Sequence, residues 1–381
     1  MQSALSQLKQ LSSDMDDTSR RQLMTSLHEL AYSMESVDDT MYRFSYLYIQ
    51  TAVVKVGHDL NIFEHLARAT KPVSLREICE KTNGEAALLN RCLSYLASIG
   101  AIKQVTKDEY AANRVTENLA EKVAAATICH TFGTLGPQYQ ALPAFLKKTG
   151  YKNPTDELHT VFQDAWGTSK HAFAWIKEHP ENLMFFQDYM ALRREPEHTW
   201  LSAYPIEDET RDWDPKRPVY VNMGGGIGHQ CAQFKASFPH VPGRVILQDL
   251  SYNMDRALAT PGVENMAHNF FEPQPVLGAK FYYLRECLHN HPDHKVRQIL
   301  RHIKTAMTSD SVLLLDELVL PESGANSTAT SLDMTMMVAF AAMERTEAQW
   351  RNLLEDVGLR FVHMYTYNPG GYETVMDARL P

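Results

Sequence analysis

Apolar positions divide the chain into a helical N-terminal half and a C-terminal half in which short apolar runs alternate with amphipathic helices. Residues 20–68 contain two stripes at helical spacing, which predict two amphipathic helices. The stripes are formed by Leu23, Leu27 and Leu30, and by Val53, Val56, Leu60 and Phe63. A helical arm that cannot bury its own apolar stripe usually buries it against a partner, so we expect a homodimer.

Residues 62–112 have the order of elements that is typical of a winged helix. A helix is followed by the extended segment VSL, a helix opened by Ser74 and Glu77, a third helix and a predicted hairpin in AIKQVTKDEYAAN. In a DNA-binding protein the third helix would present basic or amide side chains to base edges. Here it offers only Asn90 and Arg91. We therefore interpret the segment as a packing and dimerisation module.

Residues 126–205 are predicted to be a helical connector rich in aromatic side chains, following a dimerisation domain over residues 1–125. The aromatic side chains include Phe132, Tyr139, Phe145, Phe162, Trp166, Phe173, Trp175, Phe185, Phe186 and Tyr189. Such a series belongs more often to a core than to a ligand site. An aromatic helical layer also suits the wall of a pocket for a polycyclic or polyketide-like small molecule, and both interpretations stay open.

Residues 206–381 alternate between apolar strands and helices, which predicts an α/β domain. The predicted strands lie in PVYVNMGGG, RVILQDL, FYYLREC and SVLLLDELVL, and the chain closes with a helix over 346–357 and two strands between 360 and 378. Continuous apolar strands separated by helices indicate a mainly parallel sheet covered on both faces. We expect this Rossmann-like domain to hold a cofactor.

Composition and charge narrow the function classes. The 381 residues are 44% hydrophobic, and 37 basic against 46 acidic residues give a net charge of −9. A field of that sign opposes binding to nucleic acid and to anionic membranes. Five cysteines without a CxxC pair indicate reduced thiols. No apolar run approaches the roughly 20 residues that a membrane-spanning helix needs. The polar N-terminus has no secretory pattern. We expect a soluble cytoplasmic protein.

A glycine-rich turn follows the first predicted strand of the α/β domain. Gly224, Gly225, Gly226 and Gly228 would let backbone N–H groups and a helix N-terminus approach a ligand closely. Asp249 ends the next predicted strand, where an acidic side chain binds ribose hydroxyls in nucleoside-binding sheets. A helix N-cap is the alternative role for Asp249.

Five segments, in this order and spacing, carry a family resemblance: GGGIG, GRVILQDL, HNFFEPQP, FYYLRECLHNHPDHKVRQIL and MERTEAQW. Together they resemble the fungal caffeic-acid-type O-methyltransferases over nearly the whole chain. The resemblance implies a dimer with a seven-stranded sheet that binds S-adenosylmethionine. It implies that the turn Gly224–Gly228 holds the methionine part, Asp249 the ribose, and Asn269 with Phe270 the adenine, and it places Asn222 and Arg285 in the cofactor group.

The resemblance also assigns a reacting site and shows departures from it. It implies that His289 is a general base flanked by Glu317 and Glu344, and an imidazole suits this task because its pKa lies near working pH. The departures are Asn222, Asn269 and Asn290 in place of aspartates, and His291 in place of tryptophan. Three such exchanges leave the cofactor's positive charge less neutralised.

These departures resemble the leporin-type pericyclase branch of the same family, which keeps its cofactor. The likeness includes HNF at 268–270, PGRVILQDL, GAKFYYLR, and His130 ahead of ALPAFL. It implies a catalytic hydrogen-bond donor at His130 and a catalytic site that also includes Asn290; a buried core histidine is the alternative for His130. That branch has an Arg-Asp pair at His289 and Asn290.

On sequence alone we favour a pericyclase that acts on a polyketide-peptide intermediate. A conventional O-methyltransferase that uses His289 is the first alternative, and a catalytically silent scaffold or winged-helix regulator is the second. The histidines of HNHPDH also invite a metal site, but Pro292 interrupts the segment and zinc ligands usually have rigid spacings with a partner cluster. We expect no metal.

Overall fold

The computed structural model describes residues 2–13, 15–192 and 199–381. Its contacts divide the chain into two compact units, residues 1–137 with 176–195 and residues 138–175 with 196–381. The domain boundaries predicted after residues 125 and 205 stay predictions, and residues 193–198 of the predicted connector lie outside the described residues.

The helices are named in chain order and followed by the strands. The helices are α1 (Gln2–Ser13), α2 (Asp17–Ser33), α3 (Val37–Ser45), α4 (Leu47–Asp59), α5 (Ile62–Arg68), α6 (Leu75–Thr82), α7 (Ala86–Ser98), α8 (Arg114–Ala120), α9 (Lys122–His130), α10 (Gly136–Lys148), α11 (Val161–Trp166), α12 (Ala172–Ile176), α13 (Pro180–Leu192), α14 (Trp200–Ala203), α15 (Ile206–Thr210), α16 (His229–Ser237), α17 (Ser251–Met254), α18 (Asp293–Ala306), α19 (Ser327–Phe340) and α20 (Glu347–Asp356). The strands are β1 (Val73–Ser74), β2 (Lys103–Thr106), β3 (Glu109–Ala111), β4 (Pro218–Met223), β5 (Arg244–Asp249), β6 (Val263–Ala267), β7 (Phe281–Arg285), β8 (Val312–Leu320), β9 (Arg345–Thr346), β10 (Arg360–Asn368) and β11 (Glu373–Arg379).

The N-terminal arm differs from the prediction of two helices over residues 20–68, because α2 to α5 are four separate helices. Ser36 and Asp39 form a reciprocal capping box that starts α3 after α2 has ended. Asn61, with φ of 51°, lies in the left-handed region and separates α4 from α5. Leu27 and Leu30 are exposed in the described chain, as expected for a stripe that its own unit does not bury.

The predicted hairpin and the helices beside it are confirmed in the first unit. Strands β1, β3 and β2 form a three-stranded antiparallel sheet in that order. Ser74 accepts a hydrogen bond from the backbone N–H of Glu77 at 3.2 Å, which starts α6 where the sequence predicts it. Phe63, Leu93 and Tyr110 are fully buried in the core of this region.

The second unit contains the predicted mainly parallel sheet. The order is β10-β11-β8-β7-β4-β5-β6, with β9 beside β8. The five strands β4 to β8 pair in parallel, and β10 and β11 join as an antiparallel pair against β8. This fold confirms the predicted Rossmann-like sheet.

The central strands β4, β7 and β8 are buried on both faces of the sheet, which is why they are mostly apolar, whereas the edge strand β6 is mostly exposed. Alternating side chains place Val221 and Tyr282 in the core on one face, and Tyr220 and Tyr283 in the core on the other. The carboxyl ends of parallel strands meet at one edge of such a sheet, and ligands bind there in open α/β folds. The residues that follow β4, β5, β7 and β8 therefore define the region in which to look for a site.

Candidate active site in the second unit

The glycine turn after β4 has the conformation that the sequence predicts. Gly224, Gly226 and Gly228 have φ of 65°, 60° and 99°, a region that other residues rarely adopt. A Cβ on Gly225 would lie 2.5 Å from Leu247 Cδ1 and 2.5 Å from Asn222 Nδ2. A Cβ on Gly226 would meet no heavy atom of the described chain within 4 Å. The backbone at Gly226 is therefore open to a ligand.

Asp249 is joined to this turn from the end of β5. Its Oδ2 accepts a hydrogen bond from the backbone N–H of Gly226 at 2.7 Å. Its Oδ1 accepts from the N–H of Leu250 at 2.7 Å and from Asn253 Nδ2 at 2.9 Å. No side-chain cap bond opens α17, so the N-cap alternative does not describe Asp249. These three bonds use three of the about four acceptor positions of a carboxylate. One position remains open, and binding of a ribose hydroxyl there stays a prediction.

Phe270 borders the same turn. A Cβ on Gly224 would come within 3.2 Å of the Phe270 ring and within 2.7 Å of Cys287 Sγ. Asn269 Oδ1 accepts a hydrogen bond from the backbone N–H of Phe271 at 3.1 Å, which orients the segment that carries Phe270. The ring edge of His291 also faces Phe270, with centroids 5.7 Å apart. These positions fit the predicted adenine wall, and the assignment to adenine stays a prediction.

His289 lies on a short 3₁₀ helix, Leu288–Asn290, directly after β7. Its Nδ1 is 2.7 Å from Glu344 Oε1, and both side chains are buried. Burial alone would lower the pKa of His289, but the negative charge of Glu344 and the nearby carboxyls outweighs burial and raises it to about 9. The neighbouring carboxyl groups therefore favour the protonated form of His289.

Glu317 shapes the same turn from β8. Its Oε1 accepts hydrogen bonds from the backbone N–H groups of Cys287 at 3.2 Å and Leu288 at 2.9 Å. Burial raises the pKa of Glu317 to about 7. The structure thus brings together the three residues that the family resemblance assigns to catalysis, His289, Glu317 and Glu344.

Asn290 and Arg285 serve the surrounding backbone and a buried charge network. Asn290 Nδ2 donates to the carbonyl of Glu286 at 3.2 Å, and Glu286 has a left-handed φ of 47°. Arg285 Nη1 lies 3.7 Å from Asp316 Oδ2, and its Nη2 lies 3.3 Å from Glu373 Oε1. Catalysis by Asn290 and cofactor contact by Arg285 stay predictions.

His130 belongs to the first unit. It ends α9 and is followed by a π-helix over Thr131–Leu135, a form found often at functional sites. The rings of Phe186 and Tyr189 lie 5.4 Å and 5.6 Å from its imidazole, centroid to centroid. Burial lowers the pKa of His130 to about 4, so the ring is neutral at pH 7. Both roles considered for His130, core residue and catalytic donor, are compatible with these contacts.

His289, Glu317 and Glu344 also bear on metal binding. In the part of the chain that the structure describes, they are the one group of His, Cys, Asp and Glu whose possible ligand atoms lie within 4.8 Å of one another. Each also has a hydrogen-bond partner within the protein. The expected absence of a metal stays a prediction.

Sequence reasoning did not find Arg345 and Asp333, two residues that support the predicted catalytic residues. Asp333 Oδ1 accepts a hydrogen bond from the backbone N–H of Glu344 at 2.9 Å. Arg345 is buried beside Glu344 and bonds to the turn that carries His289. The only available signal was a charged residue next to Glu344, which sequence patterns do not distinguish from a surface residue.

Comparison with known proteins identifies the family. Residues 148–360 match the model of the O-methyltransferase domain, and residues 42–122 match that of the O-methyltransferase dimerisation domain. The chain belongs to the O-methyltransferase family.

Curated relatives cover nearly the whole chain. O-methyltransferase lepI of Aspergillus flavus is 37% identical and covers 94% of both chains. O-methyltransferase ucdC of Aspergillus ustus is 38% identical with the same coverage. Demethylsterigmatocystin 6-O-methyltransferase of Aspergillus parasiticus is 37% identical over 93% of this chain and 91% of its own.

Solved structures agree with the fold. A protein described as a pericyclic reaction enzyme has a TM-score of 0.92 and 36% identity, covering 100% of this chain and 99% of its own. LepI in complex with SAM has the same TM-score and identity, covering 100% and 98%. The predicted family and fold are confirmed, and S-adenosylmethionine is confirmed as the cofactor at the level of the family. No helix within the described ranges has the length and apolar character needed to cross a membrane.

Proposed function

We propose that this chain is an S-adenosylmethionine-dependent O-methyltransferase of fungal secondary metabolism that acts on a hydroxyl group of a polyketide-like small molecule. The pairing of His289 with Glu344 at 2.7 Å supports this proposal most strongly. A neutral imidazole that donates its Nδ1–H to a carboxylate has its lone pair on Nε2. This arrangement orients His289 as a general base.

The cofactor would be held by residues whose geometry fits it. The open backbone at Gly226 and the acceptor positions of Asp249 suit the methionine part and the ribose, and the ring of Phe270 suits the adenine. When bound, S-adenosylmethionine supplies an electrophilic methyl group on a positively charged sulfur. The relatives whose structures contain SAM or SAH support this assignment.

His289 would take the proton of the substrate hydroxyl at Nε2. Glu344 then stabilises the imidazolium at 2.7 Å, while Glu317 adds a second carboxyl nearby and fixes the backbone before the ring. A positioned general base contributes about 10²- to 10⁴-fold to a rate. The pKa of His289 in the folded protein is raised to about 9. A larger fraction of the ring is therefore in the neutral base form in mildly alkaline solution, and methyl transfer should be faster there than at neutral pH.

A second candidate is the cofactor-retaining pericyclase that the sequence favours. A relative with 36% identity and a TM-score of 0.92 is described as a pericyclic reaction enzyme. At neutral pH His289 holds its proton, since its pKa is about 9, and could act as a cationic hydrogen-bond donor. The retained His289, Glu317 and Glu344 together make methyl transfer the better supported function.

Methyl-labelled S-adenosylmethionine distinguishes the two candidates. We would incubate it with the protein and a panel of phenolic polyketides that includes demethylsterigmatocystin. The proposal predicts a labelled product and an equal amount of S-adenosylhomocysteine, both lost in His289→Gln. His294→Gln is the matched control, because His294 is exposed on the same segment. A cyclised isomer formed without S-adenosylhomocysteine would favour the pericyclase.

A further inference from the structure

Arg345 lies immediately after Glu344 and is almost fully buried, with 1% of its surface exposed. Strand β9 pairs it with Val319, two residues beyond Glu317 on β8. Its guanidinium also lies over the Trp350 ring, with Cζ 5.1 Å from the centroid. Burying an arginine costs free energy unless its donors form hydrogen bonds or ion pairs. The groups that accept from Arg345 therefore indicate its role.

The donors of Arg345 bond on both sides of His289. Nη1 donates to the carbonyl of Leu288 at 3.3 Å, and Nη2 donates to the carbonyl of His291 at 3.0 Å. Nε and Nη2 donate to Asp293 Oδ1 at 3.1 Å and 2.8 Å. The one guanidinium therefore holds three points of the segment that carries His289.

The hydrogen bonds of Glu344 and Arg345 hold both the ring and the backbone of the His289 segment. Glu344 binds the ring of His289, and the next residue along the chain binds the backbone before and after that ring. The planar guanidinium fixes directions as well as distances, which a lysine ammonium does not do. We infer that Arg345 is a positioning residue that holds the His289 segment against Glu344 and so sets the geometry of the pair.

This inference rests on the proposed role of His289, but the titration that tests it needs neither substrate nor cofactor, and the cofactor serves only to verify folding. In ¹⁵N-histidine-labelled protein, the His289 ring signals are assigned by their loss in His289→Gln and then titrated with pH. In the wild type the proximity of Glu344 should keep the midpoint at about 9. In Arg345→Lys and Arg345→Met we expect the midpoint to fall by about one unit or more, since the pair with Glu344 loosens.

Arg351→Lys is the matched control. Arg351 lies on the adjacent helix α20 and is exposed. It bonds to Glu347, and its guanidinium lies 3.8 Å from the centroid of the Phe361 ring. Its His289 midpoint should equal that of the wild type. Binding of S-adenosylmethionine, measured by calorimetry, should stay within about twofold in Arg345→Lys and verifies that the protein is folded, because the predicted cofactor residues do not contact Arg345.

The results separate the two proposals. A folded Arg345→Lys variant whose His289 midpoint matches that of the wild type would overturn the positioning role. If the midpoint falls as expected but His289→Gln still transfers methyl groups, the positioning role holds and the proposed base function fails. A merely structural arginine would change stability without moving the His289 titration.

Discussion

The charge on His289 is set mainly by two carboxyl groups that come from different parts of the second unit. Glu344 precedes β9, Glu317 belongs to β8, and His289 follows β7. Their carboxyl groups outweigh burial and raise the pKa of His289 to about 9. The folded state thus favours the imidazolium, whose stabilising contribution is present below the unfolded value near 6.5 and is lost as pH rises through about 9.

The rate of methyl transfer should depend on pH in the opposite sense to this stabilisation. The base form is the neutral ring, so kcat/KM should rise with pH until about 9 and then level off. A pericyclase that uses the imidazolium as a donor would lose rate over the same interval. Rates measured between pH 6 and about pH 10 in constant ionic strength would test this, and a profile that falls toward pH 9 contradicts the base role.

Alanine at Gly225 and at Gly226 should lower stability for different reasons. In Gly225→Ala the new Cβ meets Leu247 and Asn222 at 2.5 Å, so we expect a loss of stability of about 1–3 kcal/mol. In Gly226→Ala the Cβ enters open space, and the strained φ of 60° should cost about 1–2 kcal/mol.

Cofactor binding distinguishes the two variants. Gly226→Ala should weaken the binding of S-adenosylmethionine at least about tenfold, because its methyl group occupies the space over the turn where we expect the ligand. Calorimetry for binding and denaturant unfolding for stability measure the two effects. Unchanged affinity in Gly226→Ala would remove this turn from the cofactor site.

At the scale of elements, α18 supports the turn that carries His289. It starts at Asp293, the residue bonded by Arg345, and buries Val296, Ile299, Leu300 and Ile303 on one face. This helix packs in the same apolar core as Trp350 and Leu354 of α20. The order of the His289 turn therefore depends on the packing of α18, whose first residue is tied to that turn through Arg345.

Shortening a core side chain of α18 should destabilise the second unit. Ile303 is 1% exposed, so Ile303→Ala should lower the free energy of unfolding by about 2–5 kcal/mol through lost burial and a residual cavity. Thr305→Ala, on the exposed face of the same helix, should change it by less than about 0.5 kcal/mol. Equal effects of the two changes in urea unfolding would contradict this packing.

Sequence patterns predicted most elements of this unit, because continuous apolar strands and amphipathic helices have distinct periods. They missed β6, an edge strand that is mostly exposed and has no continuous apolar run. They did not predict the breaks in the N-terminal arm. Those breaks depend on a capping box at Ser36 and a left-handed Asn61, which are local and leave the apolar stripe intact. They also missed Arg345, since only the fold places its donors beside the carbonyls of Leu288 and His291.

At the scale of the whole molecule, the N-terminal arm leaves many large apolar side chains exposed in the single chain. Val37, Phe44 and Tyr48 are 85%, 60% and 61% exposed, and the last two lie within the matched dimerisation domain. Exposed apolar surface of this kind marks an interface with another protein. We expect a homodimer, as the sequence predicts.

Charges introduced into this arm should dissociate the dimer. Light scattering should give about twice the chain mass of 43.3 kDa for the wild type and the single-chain mass for Phe44→Asp with Tyr48→Asp. Leu277→Asp, at an exposed apolar position of the second unit, should leave the dimer intact. A dimer that survives the double substitution would show that this surface is not the interface.

The reaction and the substrate were harder to predict from the sequence than the fold. The family motifs predict a cofactor turn and a set of catalytic residues, but the substrate and the fate of the methyl group depend on how charge and shape combine around His289. The asparagines at 222, 269 and 290, in place of the family's aspartates, favour a pericyclase. The hydrogen-bonded pair of His289 and Glu344 shifts the balance toward methyl transfer.

The most direct test of the central claim follows the labelled methyl group of S-adenosylmethionine in the presence of a phenolic polyketide acceptor. We predict that the label appears on the acceptor oxygen, that S-adenosylhomocysteine forms in equal amount, and that His289→Gln abolishes both while still binding the cofactor. Conversion of the acceptor with the cofactor recovered intact, or transfer that persists in His289→Gln, would contradict the claim.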